Sequence, residues 1–457
     1  MKKAISGLLV LALMFSLMAC SNGGATPSSQ SASASSSSVS GTQQNQGASD
    51  KKVEILWLAP GTDEDFTVPG KVNYEILNEY HNSQSKVQVN FERYASQNDL
   101  FEVIQTKMAA GSKEYDVISV DSPMVPAYAY HNWMMPIGEY FTQEELSDFT
   151  DSALENAAYD GEFYAPPLQN SSPVLCYNTA LLAESGVEIR ENDVNNRLTW
   201  DELVTYAATA LEKLDPDNTK GITGIEFNQV GRTYQMNMLP NSMGGAQIGE
   251  DGFTVEGVLN GKPWIDALTW YQGQVEAGIF SRGIKPLEAP DNFYSGKTIF
   301  YFAAIGNIAT IDKNMDDFDY TCVPAFTGAE DKVATPCGSW NICVSANSQH
   351  AAEAADFVKF ATLGTGNDIR FEFSSQVPSR HSLLDKLYAG GSDIPRYMEI
   401  AAYEASNTAL LRAKTPAFSE YSVAIDALWE DVRNGSDVNE SVKTAINTIN
   451  SAMANYK

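Results

Sequence analysis

Three short stretches hold residues whose types and spacing invite chemistry. In "CGSWNICVS" Cys337 and Cys343 flank Trp340. They raise a metal site, a disulfide end, or a loop presenting a flat ring. No C-x-x-C is present, and His81, His131, His350 and His381 are not spaced as a ligand pair, so zinc is not expected. Outside the cytoplasm Cys322–Cys337 or Cys322–Cys343 could form a disulfide; free buried thiols, with Cys176 among them, are the other reading. "DPDNTKGITGIE" places Asp215, Asp217, Thr219 and Glu226 at calcium-loop spacing, but Lys220 stands where the turn needs glycine. A loop closing the preceding helix is expected instead. "SGKT" (Ser295–Thr298) imitates the end of a P-loop, yet Asp291 replaces the first glycine and "IFYF" after it reads as strand. No cofactor or metal is expected.

These motifs must sit on a scaffold. The chain has 457 residues, 43% of them hydrophobic, enough for a sizeable core in two or three domains. Its formal charge of −28 argues against nucleic acid and against a polybasic membrane face. Lys2 and Lys3 precede an apolar run, Ala4–Ala19, too short to span a bilayer and typical of a secretory signal (1–19). It ends in "LMAC", which resembles the lipobox of bacterial lipoproteins and implies lipidation of Cys20. Residues 20–50 add a Ser-rich tether, "SASASSSSVS" included, that cannot bury enough apolar surface to fold.

From Lys51 onward strands and helices alternate. "VEILWL" (53–58), "KVQVNFERY" (86–94) and "YDVISVD" (115–121) have strand character. Between the last two, Leu100, Val103, Ile104 and Met108 fall on one helical face. "PVLCYN" opens a second run, and "TWDELVTYAATALEKL" carries a capping box, Thr199 with Glu202. Helices are also predicted at 262–277 and 350–363, with Trp264 and Trp270 as packing residues. Such βαβ alternation predicts open α/β sheets, which bind ligands beyond the carboxyl ends of their strands.

In shared order, "YDVISVDSPMVPAYAYHNWMMPIGEYF", "GEFYAPPLQNSSPVLCYNTALLAESGV", "LTWDELVTYAATAL", "FYSGKTIFYFAAIGNI", "GSWNICVSANSQHAAEAADFVKFAT" and "VPSR" resemble the bacterial extracellular solute-binding proteins of family 1, the sugar-receptor lipoproteins of ABC importers. The resemblance covers nearly the whole body. It implies an α/β, two-lobed periplasmic-binding-protein fold (type II), with several hinge crossings. The crossings are placed near 165–169, 302–305 and 324–337. The expected lobes are 51–166 with 304–324, and 167–303 with 325–457. The implied function is capture of a mono- or oligosaccharide by hinge closure, without catalysis, and delivery to the permease. The implied state is a monomer, lipid-anchored outside the cytoplasm, on the outer face of a Gram-positive membrane.

A sugar ring needs aromatic platforms for its apolar face and planar polar groups for its hydroxyl rim. With the cleft so placed, the candidates are Trp57, Asp121, Ser122, Gln169, Asn170, Tyr234, Phe302, Gly338, Ser339, Trp340 and Arg380. Trp57 reads equally as core, Asp121 as a helix cap and Arg380 as a surface ion pair. Tyr301 and Phe302 are the aromatics nearest the "AAIGNI" turn, where the family often has a stacking ring. Two other classes stay open: a peptide or amino-acid receptor, with Arg93, Arg232, Arg380 and Arg412 as charge clamps, and an anchored glycosidase using a carboxylate pair.

Overall fold

The computed structural model describes residues 52–338, 340–374, 376–391 and 394–456. The expected signal, Cys20 and the tether lie outside them. Among the described residues there are twelve strands, eight of them in two four-stranded sheets and the rest in two two-stranded ribbons. They are β1 (Val53–Pro60), β2 (Val87–Tyr94), β3 (Val117–Asp121), β4 (Ala158–Tyr159), β5 (Glu162–Phe163), β6 (Val174–Asn178), β7 (Thr223–Phe227), β8 (Thr298–Ala303), β9 (Phe318–Thr321), β10 (Thr335–Pro336), β11 (Trp340–Val344) and β12 (Ala409–Leu410). The first sheet has the order β11-β3-β1-β2, the second β7-β8-β6-β9. In the first, β1 runs parallel to β2 and β3, while β11 returns antiparallel along β3.

Period-two alternation explains why helices cover both faces of the first sheet. Ile55, Trp57 and Ala59 pack with Ile76, Tyr80, Phe357, Ile342 and Val344 in one core. Leu58, Ile118, Val120 and Cys343 face the other way, toward Leu100, Ile104 and Met108. The second sheet is buried through β8, whose six residues all lack exposure, under the helices Trp200–Leu214 and Lys262–Glu276. Thr199 and Glu202 form the expected capping box. The β4–β5 hairpin turns at Asp160 and Gly161, both with positive φ, as a two-residue turn demands.

The lobe boundaries need correction. Residues 304–324 do not return to the first lobe, because β9 pairs with β6 in the second sheet. No crossing therefore occurs at 302–305. Conversely β11 and the helix Ala351–Thr362 belong to the first lobe, not the second. Crossings fall between β5 and β6, between β9 and β11, and in the segment around β12, which pairs in parallel with β10. A local pattern shows that a strand exists, but not which of two similar sheets accepts it.

The cysteines Cys176, Cys322, Cys337 and Cys343 are free and buried. The Asp215 carboxylate accepts the backbone N–H groups of Thr219, Lys220 and Ile222 at 2.7–3.1 Å, so it closes its loop. "SGKT" turns at Gly296 and enters β8.

Glu226 on β7 is 1% exposed, and its Oε1 has no hydrogen-bond partner among the described residues. Burial pushes its carboxyl up to about 8, opposed by Thr223 and Arg433. A raised carboxyl means that the fold prefers the protonated form. That contribution is full below the ordinary carboxylate range and is lost as pH rises through about 8. Thermal melts should therefore show stability falling from the ordinary carboxylate range, about pH 4.5, up to about pH 8 and levelling off above it, with a smaller fall in Glu226→Gln. Equal pH slopes would remove Glu226 from the account.

Candidate functional site

β3 ends at Asp121, at the carboxyl edge of the first sheet. Antiparallel pairing sets Trp340, the first residue of β11, opposite it. Two hydrophobic anchors, Ile342 and Val344, hold that strand in the core. The Trp340 indole is half-buried and stacks on Phe101 of the helix Gln97–Ala109, with centroids 6.0 Å apart and planes at 27°. Asp121 stands at a helix start but makes no side-chain cap bond. Its carboxylate instead accepts both Arg412 Nη2–H and Nη1–H, at 2.8 and 3.2 Å. Arg412 follows β12, on the way to the second-lobe helix Phe418–Arg433. The pair therefore joins the two lobes by the planar, bidentate geometry that suits guanidinium and carboxylate.

The same guanidinium lies 5.0 Å from the ring centre of Tyr234, on the short helix Thr233–Met236. Ser171, on the first crossing, donates its hydroxyl hydrogen to the Gly338 carbonyl at 2.7 Å. The Tyr234 phenol, 3.1 Å from Ser171 Oγ, must then be the donor of that bond. Burial pushes this phenol up to about 12. Gly338 is needed for close approach: a Cβ there would stand 2.6 Å from Arg412 Nη2 and 3.3 Å from Ser122 Oγ. Ser122 is buried, and its Oγ has no partner among the described residues.

The structure thus gathers Asp121, Ser122, Tyr234, Gly338 and Trp340 where the lobes meet. Asn170 is close by but turned inward; its Oδ1 accepts from the Cys337 thiol at 2.7 Å and from the Ser171 amide at 3.0 Å. Gln169 faces Arg370, at 3.2 Å. Ser339 lies outside the described residues. Three expectations are corrected. Trp57 is 1% exposed, bonded through Nε1 to Ser119 Oγ and wedged between Phe66 and Phe357, so it is core. Phe302 is fully buried and stacks on Phe227 and Trp200. Arg380 pairs with Asp148 and Asp368, on an open groove of about 830 Å³ that Tyr80, Asp148 and Lys359 also line. There both cations are already engaged, Lys359 by Glu145 and Arg380 by Asp148, and the Tyr80 phenol is bonded to Asp356. The Asp121–Trp340 cluster brings two half-buried rings, Trp340 and Tyr234, together with a hydroxyl that has no partner among the described residues, at a lobe junction.

Sequence reasoning passed over Ser171 and Phe101, and named Arg412 only as a charge clamp. Arg412 is 291 positions from Asp121, so no local spacing reveals the pair.

Comparison with known proteins agrees with this architecture. Solved structures with the same fold include the GacH receptor of Streptomyces glaucescens, at TM-score 0.72 and 18% identity, covering 89% of this chain and all of that one. The substrate-binding protein Lmo0181 of Listeria monocytogenes, solved in complex with cycloalternan, matches at TM-score 0.73 and 21% identity, over 88% of this chain and all of that one. In sequence, a probable ABC transporter-binding protein of Deinococcus radiodurans is 23% identical over 367 residues, 77% of this chain and 82% of its own length. A mannitol-binding protein of Pseudomonas aeruginosa is 23% identical over 277 residues, 58% of this chain and 60% of its own. Two lobes, three crossings and a polar-aromatic cluster at their junction are what a ligand-capturing receptor requires. The model of the bacterial extracellular solute-binding proteins matches residues 75–402, and the chain belongs to that family.

Proposed function

We propose that the chain is the carbohydrate-binding receptor of an ABC importer. It captures a sugar or oligosaccharide between the lobes and hands it to the permease as a non-catalytic monomer, tethered to the outer face of the cell membrane through lipidated Cys20. Family membership places it outside the cytoplasm. Among the described residues no helix is long and apolar enough to cross a membrane. The observation that carries the reading is the junction cluster, in which Trp340 on Phe101 and Tyr234 supply ring faces. Asp121, Arg412 and Ser122 supply polar groups around them. That is the composition a sugar ring selects. A ligand touching both lobes would stabilise the closed arrangement by its differential affinity for it. Neighbours solved with cycloalternan and maltotetraose, and a mannitol-binding relative, support the same ligand class.

A peptide receptor is less well supported. Each arginine considered as a clamp already holds a carboxylate of the chain: Arg93 with Asp63, Arg232 with Asp426, Arg380 with Asp148 and Arg412 with Asp121. The test is a thermal-shift screen of sugars, sugar alcohols and oligosaccharides against peptides. A ligand at about 100 times its Kd adds about 2.7 kcal/mol to the folded state. Sugars are expected to raise the melting temperature and peptides not to. A shift with peptides alone, or turnover of an oligosaccharide, would overturn the proposal.

A further inference from the structure

Arg370 stands apart from the other arginines. Among the described residues every other one pairs with a carboxylate, except Arg282, which is exposed. Arg370, on the helix Thr365–Phe373, is held by two neutral amides instead. Nη1 donates to Gln169 Oε1 at 3.2 Å, and Nη2 to Asn73 Oδ1 at 2.9 Å. Its Nε–H is buried and has no partner among the described residues. Burial draws the guanidinium down to about 10. A desolvated cation facing only dipoles is costly, and such charges are normally paired. Two amide oxygens fix the plane of the fork but leave its full positive charge.

The location connects this group to the cleft. Gln169 lies on the first crossing, two residues before Ser171. Asn170 between them turns its side chain inward, to Ser152 and Cys337. Gln169 therefore ties Arg370 to the crossing that carries Ser171, whose hydroxyl meets the Tyr234 phenol. The loop after the Arg370 helix also meets the second lobe: a Cβ on Gly306 would stand 3.4 Å from Gln376 Nε2.

We propose that Arg370, oriented by Gln169 and Asn73, is a carboxylate-reading subsite on the first-lobe side of the cleft, and that the saccharide captured there carries a carboxylate, as a uronate does. The inference rests on the cleft reading above. The free Nε–H and the second hydrogen of a neighbouring Nη form a side-on fork that fits one carboxylate. A peptide would need a partner for its ammonium as well, and Asp121 is already engaged by Arg412.

The experiment is calorimetric titration with matched pairs: glucose and glucuronate, galactose and galacturonate, and neutral and uronate trimers. The wild-type protein should prefer the uronate member of a pair about tenfold to a hundredfold, the range of a charge-assisted hydrogen bond. Two variants test the cause. Arg370→Gln removes the cation, and the isosteric Asn73→Asp supplies it with an internal carboxylate. Each should bring the uronate-to-neutral ratio to about one. Circular dichroism confirms folding, and Asn73→Asp keeps the test valid should Arg370→Gln fail to fold. Equal wild-type affinity for both members, or a preference that survives in a folded variant, overturns the subsite alone. Failure of every sugar, with peptides binding instead, overturns the cleft reading.

Discussion

Trp340→Ala is expected to weaken sugar binding by about 30- to 150-fold while leaving the protein folded. The magnitude follows from the loss of one aromatic platform, about 2–3 kcal/mol of apolar contact at a buried ring face. The fold should survive because the indole is at the strand's end rather than in its anchored part. Ile342 and Val344 fill the first-lobe core, and the ladder to β3 is made by backbone. Half-burial and the Phe101 stack mean that some packing is lost too. Trp340→Phe separates the two effects, since it keeps a ring face on Phe101 and should recover part of the affinity. Calorimetry with the best ligand of the thermal-shift screen measures both. If Trp340→Ala binds as the wild type does, Trp340 is a packing residue and the ligand lies elsewhere on the junction.

That prediction uses a residue that sequence alone brought forward, and the reason it did is physical. A tryptophan after Gly338 and before a strand of alternating apolar residues sits where a sheet edge opens on a cleft. Trp57 looks similar in sequence, at the carboxyl half of an equally apolar strand. The difference is register: Trp57 shares the face of Ile55 and Ala59, which the helices Val72–Ser83 and Ala351–Thr362 cover. No local pattern records which helices close over which face. The strands were legible for the converse reason, because period-two alternation is local; β1, β2 and β3 lie within a residue or two of where that alternation puts them. Lobe membership of β9 and β11 was not, since each pairs with a strand more than a hundred positions away. Asp121 was legible as important but not as to its partner, and the capping reading fails because Arg412 offers a stronger, bidentate partner than a backbone amide.

Arg197→Met is expected to destabilise the protein by about 3–5 kcal/mol, the cost of leaving a buried charge without its counter-ion. The charge is Glu404, which has no exposure at all. Its carboxylate accepts Arg197 Nη1–H at 2.5 Å and Nη2–H at 3.1 Å, the Val323 amide at 3.1 Å, the Thr335 hydroxyl at 3.2 Å and the Thr408 hydroxyl. These donors come from separate parts of the chain. Arg197 precedes the helix Trp200–Leu214 and Val323 follows β9. Thr335 lies in β10, and Thr408 leads into β12. The network therefore fastens the β10–β12 crossing pair to the second lobe, and it keeps a desolvated carboxylate in place by satisfying its lone pairs. Removing Arg197 deletes the only cation among the five donors and strands the anion in an apolar interior. Replacing both charges, as in Arg197→Met with Glu404→Leu, should restore much of the loss, because two apolar side chains of similar size do not carry the desolvation penalty. Denaturant unfolding of the single and double variants measures this. Recovery in the double variant would show that the pair serves placement of the crossing more than net stability. A single variant as stable as the wild type would mean that water reaches Glu404 and that the crossing is held by its strands alone.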